Sequence, residues 1–241
     1  DDMGLYYIKG LSADMEDLLR KKGQEEALSF FRFVLWSYQH GCHETPLYES
    51  QKAWHGVEAT IPEVKKNNVS GRIAIVADME EDSPLSRMIE RFEKKTSFET
   101  ILVNLREFPF AGGCLGCFHC AAEGKCIYKD GFDEYLRNNI QSTDAIVYAF
   151  SIRDHGMGCR FKLYDDRQFC NGHRTVTMGK PVGYIIDGNL DNEPNLRMVI
   201  EARADTGGNY LAGIATNQSH PDEEIDRLSE TLTYTRSEER R

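Results

Sequence analysis

From Gly71 onward, apolar and polar positions fall into two alternating kinds of block. Short apolar runs rich in β-branched residues ("RIAIVA", "TILVNL", "DAIVYAF", "KPVGYIID" and "NYLAGIAT") are separated by stretches with helical periodicity. The clearest of these is "LSRMIERFEKK", where Leu85, Met88, Ile89 and Phe92 fall at i, i+3, i+4 and i+7. "FDEYLRNNI", "CRFKLYDDRQF", "PNLRMVIEARADT" and "DEEIDRLSETL" read as further helices. Five near-continuous apolar strands alternating with helices predict a doubly wound α/β sheet, parallel and covered on both faces. Right-handed crossovers give the expected strand order 2-1-3-4-5. Such sheets bind ligands beyond the carboxyl ends of their strands. Loops 77–84, 106–130, 151–160 and 187–194 are therefore expected to surround a site.

Residues 1–68 follow a different pattern and read as a helical extension and linker ahead of a domain at 69–241. A helix is expected with Ser12 as its cap, Met15, Leu18 and Leu19 at helical spacing, and a break at Gly23. The segment from Leu28 to Trp36 is apolar on nearly every side, so it is expected to be buried, either on the following domain or on a neighbour that this chain lacks. "HETPLYESQKAWHGVEATIPEVKKNNVSG" reads as a polar, proline-marked connector. The closing "TYTRSEERR" is charged and expected to fray.

Composition narrows the function classes. The formal charge of −10 argues against nucleic acid and anionic membranes as partners. No apolar run is long enough to span a bilayer, and no signal peptide is legible. The seven cysteines are not arranged as a disulfide framework, which points to a reducing compartment and a cytoplasmic protein. The chain opens on Asp1 rather than methionine, which reads as a fragment or a processed chain.

Four cysteines crowd into "GGCLGCFHCAAEGKC", at C-x2-C-x2-C-x5-C: Cys114, Cys117, Cys120 and Cys126. Thiolates at this spacing suit zinc or an iron–sulfur cluster. Zinc usually takes two separated C-x-x-C knuckles. Three ligands at steps of three plus a fourth beyond suit a cubane held by one loop. Four reduced thiols in a glycine-rich loop remain the plain alternative.

"GGCLGCFHCAAEGKCIYKDGF", set between the second strand and the second helix, resembles the flavodoxin-like NAD(P)H-dependent FMN reductases, and among them the iron–sulfur flavoproteins. "KLYDDR" is similar to that family's K-x-x-x-D-R, and the likeness spans about residues 70–230. It implies a flavodoxin-like fold, FMN, a [4Fe–4S] cluster on Cys114, Cys117, Cys120 and Cys126, and electron transfer between a small-molecule or protein donor and an acceptor. It also implies a homo-oligomer. The opening "GLYYIKGLSADMEDLL" resembles the segment joining two flavodoxin-like units in long bacterial members, implying a preceding unit as partner. Carried onto this chain, FMN contacts fall at Ser83 and Ser86 after the first strand, at Ser151, Arg153 and His155 after the third, and at Gly188 and Asn189 after the fourth.

The sequence departs from the family where the phosphate should sit. The first loop reads Ala77-Asp78-Met79-Glu80-Glu81-Asp82-Ser83-Pro84, with four carboxylates in place of a Ser/Thr-rich anion cradle. These acids are expected to oppose a phosphate. After the third strand the serine of the family's S-P-x-Y survives, but the proline and tyrosine do not. Lys162, Asp166 and Arg167 read as an ion-pair network on the third helix, and no G-x-G-x-x-G follows a strand. Two functions follow: an FMN-dependent electron-transfer enzyme, or a flavin-free unit serving dimerisation or docking.

Overall fold

The computed structural model describes residues 20–41, 55–63, 70–172 and 176–238. It divides into two compact units, 1–54 and 55–241. In the first, helix α1 (Lys21–Gln39) runs through Gly23, where the sequence suggested a break. The proposed cap at Ser12 lies outside the described residues. In α1 the side chains of Leu28, Phe31, Leu35 and Trp36 are each more than half exposed.

The second unit carries the expected sheet. Strands β1 (Arg72–Ala77), β2 (Glu99–Asn104), β3 (Ala145–Ser151), β4 (Pro181–Asp187) and β5 (Tyr210–Thr216) are ordered β2-β1-β3-β4-β5. All neighbours are parallel, with Val76 opposite Val103 on one side and Tyr148 on the other. Strand side chains alternate between faces, so one run of β-branched residues supplies two cores. On one face Ile73, Ile75 and Ala77 pack with Leu85, Met88, Ile89 and Phe92 of helix α2 (Pro84–Lys95). The periodicity of α2 is borne out: those four side chains are almost wholly buried. Ala74, Val76 and Phe150 face the other way, toward Phe161 and Tyr164.

Between β2 and β3 lie a short helix α3 (His119–Glu123), not foreseen from the sequence, and α4 (Phe132–Tyr135). The latter passes into a π-turn at Leu136–Gln141. Helices α5 (Cys159–Arg167) and α6 (Phe169–Gly172) follow β3, and α7 (Pro194–Thr206) follows β4. Helix α8 (Pro221–Glu238) extends the last helix beyond its expected end, so the "TYTRSE" of the tail is helical rather than frayed. It lies close on β4 because Gly183 has no side chain. A Cβ there would sit 2.7 Å from Leu228 Cδ1. Residues 55–63, within the segment read as a connector, pack against this unit. Val57 N donates to Asn217 O at 2.7 Å, and Arg91 Nη1 donates to Thr60 O at 2.7 Å. Among the described residues no helix is long and apolar enough to cross a membrane.

The most deeply buried charge is Arg167, at the end of α5. Its two Nη atoms each meet an oxygen of Asp130 at 2.9 Å, and Nη1 also donates to Gly112 O at 2.8 Å. The guanidinium lies 4.5 Å from the ring centre of Tyr128 and 5.1 Å from that of Phe132. Asp130 further accepts from the backbone N–H groups of Ala111 and Phe132. One ion pair thus ties both ends of the long β2–α4 loop to α5.

Burial alone would raise the Asp130 pKa, but the hydrogen bonds from Arg167 and the two backbone amides outweigh it and hold the carboxyl below its usual range. A depressed folded pKa makes this contribution complete above the unfolded pKa, and it is lost as pH falls through the folded value. Arg167→Met is expected to destabilise the unit by about 3–5 kcal/mol at pH 7, because it strands a buried carboxylate. The deficit in urea melts should shrink below about pH 4, where Asp130 becomes protonated in the variant. An equal deficit at pH 7 and pH 3 would show that packing rather than charge carries the effect.

Candidate functional site

The first loop sits at the carboxyl end of β1. Ser83 caps α2: its Oγ accepts from Ser86 N at 3.1 Å and donates to Glu80 O at 2.7 Å. Ser86 Oγ donates to Ser83 O at 2.7 Å. Both serines therefore serve the helix start, with Pro84 at its first position.

Two of the acids in this loop, Asp78 and Glu80, are met by arginines. Arg106, just past β2, places Nε 2.8 Å from Asp78 Oδ1, close but without hydrogen-bond alignment, and Nη2 2.9 Å from Glu80 Oε1. Arg153, from the loop after β3, brings its Nη2 to 3.4 Å of that same Glu80 oxygen. Arg160 Nε on α5 lies 3.9 Å from Asp78 Oδ1. Three elements thus deliver three guanidiniums to two carboxylates. Glu80, with 55% of its side chain exposed, holds the point shared by Arg106 and Arg153. Glu81 and Asp82 are exposed and make no ion pair among the described residues.

The loop after β3 is a tight turn in which Arg153 and Gly156 exchange backbone hydrogen bonds. Asp154 and His155 both take positive φ, at 50° and 57°. His155 Nδ1 lies 3.1 Å from the buried carboxylate of Glu193, at the start of α7. Ser151 is engaged by the sheet instead: its Oγ donates to Asp187 Oδ2 at 2.8 Å. Asp187 also accepts from Asn217, whose Oδ1 receives Gly188 N at 3.0 Å. Gly188 has φ 153°, and a Cβ there would lie 2.5 Å from Ile152 Cγ1, so only glycine lets the β3 and β4 loops approach this closely. Asn189 accepts from Asn192 N at 3.3 Å and caps a 3₁₀ turn at Leu190–Asn192.

Of the seven predicted flavin contacts, Arg153 and His155 present polar groups at this edge, while Ser83, Ser86, Ser151 and Asn189 use theirs within the protein. Sequence reasoning missed Arg106, Arg160 and Glu193. The legible signal was the acidic loop, because acids crowded at a strand end require counter-ions from neighbouring loops.

Among the described residues no group of three or more His, Cys, Asp or Glu side chains is placed to hold a metal ion. Cys120 lies within electrostatic reach of Cys114, Cys117 and Cys126. Cys114 and Cys117 are exposed, whereas Cys120 and Cys126 turn inward against the core beside the buried Cys170. Cys120 Sγ lies 4.0 Å from Phe169 O, and Cys120, Cys126, Phe108 and Phe110 pack against the core cluster that holds Phe132. Burial pushes the Cys170 thiol up to about 12, helped by the nearby Cys126. Burial raises Cys120 as well. Phe118 adopts a left-handed φ of 55° with its ring exposed, an uncommon conformation for a bulky residue.

No family model matches the chain. It is 33% identical over 73 residues to the iron-sulfur flavoprotein of Archaeoglobus fulgidus, a match covering 30% of this chain and 33% of that relative, so it spans about a third of the relative's length. Among solved structures it is similar to the NAD(P)H:quinone oxidoreductase of Methanothermobacter marburgensis, at 16% identity and TM-score 0.51, over 71% of this chain and 97% of the other. RosB with bound 8-demethyl-8-formylriboflavin-5'-phosphate is 12% identical with TM-score 0.52, over 71% of this chain and 81% of the other. The chain thus carries the flavodoxin-like fold, and the family it resembles in sequence is that of the iron-sulfur flavoproteins.

Proposed function

We propose that the α/β unit is an FMN-dependent oxidoreductase that passes electrons from a reduced donor, of the nicotinamide class, to an acceptor. The flavin would lie at the carboxyl edge of the sheet, between the loops after β1, β3 and β4. The observation that carries this reading is the pair of guanidiniums, Arg106 and Arg153, sharing one oxygen of Glu80 ahead of α2. In this arrangement the Glu80 carboxylate occupies an anion seat. Glu80 is half exposed, so each of its contacts is worth only about 0–1 kcal/mol. A phosphate dianion makes stronger, charge-assisted contacts with arginine and displaces it. Bound FMN would supply the two-electron chemistry. This chain's residues would seat the phosphate (Arg106, Arg153), limit the approach at the ring edge (Gly188) and hold a proton donor (His155, oriented by Glu193).

A flavin-free docking unit is the second reading. Glu81 and Asp82 favour it, since both stay in the loop without a counter-ion among the described residues.

Glu80→Gln is expected to strengthen FMN binding about 5-fold, the equivalent of one exposed ion-pair contact. Riboflavin, which lacks the phosphate, should bind the variant and the parent alike. Flavin fluorescence quenching measures both. If neither protein binds FMN, the docking reading stands in its place.

His155→Ala is expected to slow NADH:benzoquinone turnover by about 10²-fold, the scale of a lost general acid, while FMN affinity stays within about 2-fold. Glu193→Gln should give an intermediate loss and shift the pH profile of turnover. An unchanged rate in both variants would remove His155 from the reaction.

A further inference from the structure

Residues 55–63, ahead of β1, are fastened to both α2 and α8. Ala59 is buried in the same core as Ile73 and Leu85. Thr60 N donates to Asp222 Oδ1 at 2.9 Å, and the Thr60 hydroxyl donates to Asp222 Oδ2. Arg91 of α2, with 8% of its side chain exposed, donates to Thr60 O and pairs with Asp222 and Asp226 of α8 at 3.2 and 2.9 Å. A buried methyl group and a buried guanidinium thus make this polar segment a fitted part of the unit.

Three residues before Thr60 the segment meets the carboxyl edge of the sheet. Val57 N donates to Asn217 O, just past β5, at 2.7 Å. Asn217 is almost wholly buried, and its side chain is committed at both ends. Its Nδ2 donates to Asp187 Oδ1 at 2.8 Å, and its Oδ1 accepts from Gly188 N at 3.0 Å. These partners fix the orientation of the amide, because a flipped oxygen would face a carboxylate and a flipped NH2 would face an N–H. Next to it, Gln218 Oε1 accepts from Leu190 N at 3.1 Å, and Gln218 Nε2 donates to Asp191 Oδ2 at 2.9 Å.

Two successive side chains past β5 therefore hold the loop after β4 from Asp187 to Asp191. Gly188 has no side chain to hold its own backbone at φ 153°, so that conformation depends on what its amide meets. The amide meets Asn217, and the Asn217 backbone meets Val57.

We propose that Asn217 is a positioning residue for the flavin ring-edge loop and that residues 55–63 act through it. Val57 holds the Asn217 backbone, and the Asn217 side chain holds Gly188. The ring-edge role rests on the reading of this edge as a flavin site.

Amide hydrogen exchange, followed by NMR on the full chain without flavin, tests the clamp. Val57→Pro removes the N–H that reaches Asn217, whereas Val57→Ala keeps it. Exchange at Ile75, mid-β1, reports global stability, so the effect is read as the ratio of Gly188 to Ile75. Val57→Pro is expected to raise that ratio about 5-fold, the scale of one lost hydrogen bond, with Val57→Ala within about 2-fold of the parent. Asn217→Ala should raise it about 30-fold, because a buried donor is stranded. With FMN bound, Asn217→Ala is expected to lower kcat for NADH:benzoquinone turnover about 10-fold and shift the flavin's visible band, with KM for NADH within about 2-fold of the parent. If Asn217→Ala fails to fold, Val57→Pro against Val57→Ala decides. A ratio that Val57→Pro leaves unchanged would overturn the proposal, as would FMN-loaded Asn217→Ala with the parent's kcat and spectrum. Failure of the parent to bind FMN would remove the flavin reading and the ring-edge role with it, and it is seen separately because exchange is measured without flavin.

Discussion

The bidentate pair between Arg167 and Asp130 sets the conditions for the rest of the carboxyl edge. A loop of more than twenty residues leaves β2 and must return to start α4. Chain entropy favours leaving it open. The guanidinium fastens Gly112 and Asp130, near the loop's two ends, to the last turn of α5. Aromatic rings pack around the charge, so the pair is dry and costly to break. Within the loop so held, Cys114 and Cys117 are exposed, while Cys120 and Cys126 pack against the core.

A second set of ion pairs, at the end of β1, has the opposite character. Asp78 and Glu80 draw in Arg106, Arg153 and Arg160, but Glu80 is half exposed and shared between two arginines. Solvent screening keeps such contacts weak, and weak contacts can be exchanged. The same residue types thus build a permanent joint at Asp130 and a replaceable one at Glu80. Burial makes the difference.

The parallel topology separates these features in space. Every strand points its carboxyl end at the loops carrying Glu80, Arg153, His155 and Gly188, and its amino end at the opposite rim. A cavity among Tyr148, Tyr164 and Tyr184 lies beneath α5 and α7, with the Asp165–Arg203 pair on its wall.

Much of this protein was legible from its residues alone. Near-continuous apolar runs named all five strands and a period-3.6 pattern named α2, because burial on both faces of a sheet or one face of a helix leaves a local imprint. Handedness limited the strand order to a few doubly wound choices, and the family resemblance implied 2-1-3-4-5 among them. Arg153 and His155 were visible because loop position is inherited from that order. What sequence could not decide were the pairings between distant elements. The acids of the first loop read as repulsive because their counter-ions, Arg106, Arg153 and Arg160, lie 26 or more positions away from Glu80. The cysteine spacing was legible, but which thiols are exposed and which pack on the core with Phe108 and Phe110 was decided by the fold. Arg167 belonged to a recognisable local motif, but its partner Asp130 lay 37 residues upstream, and only folding brought the charges together out of water.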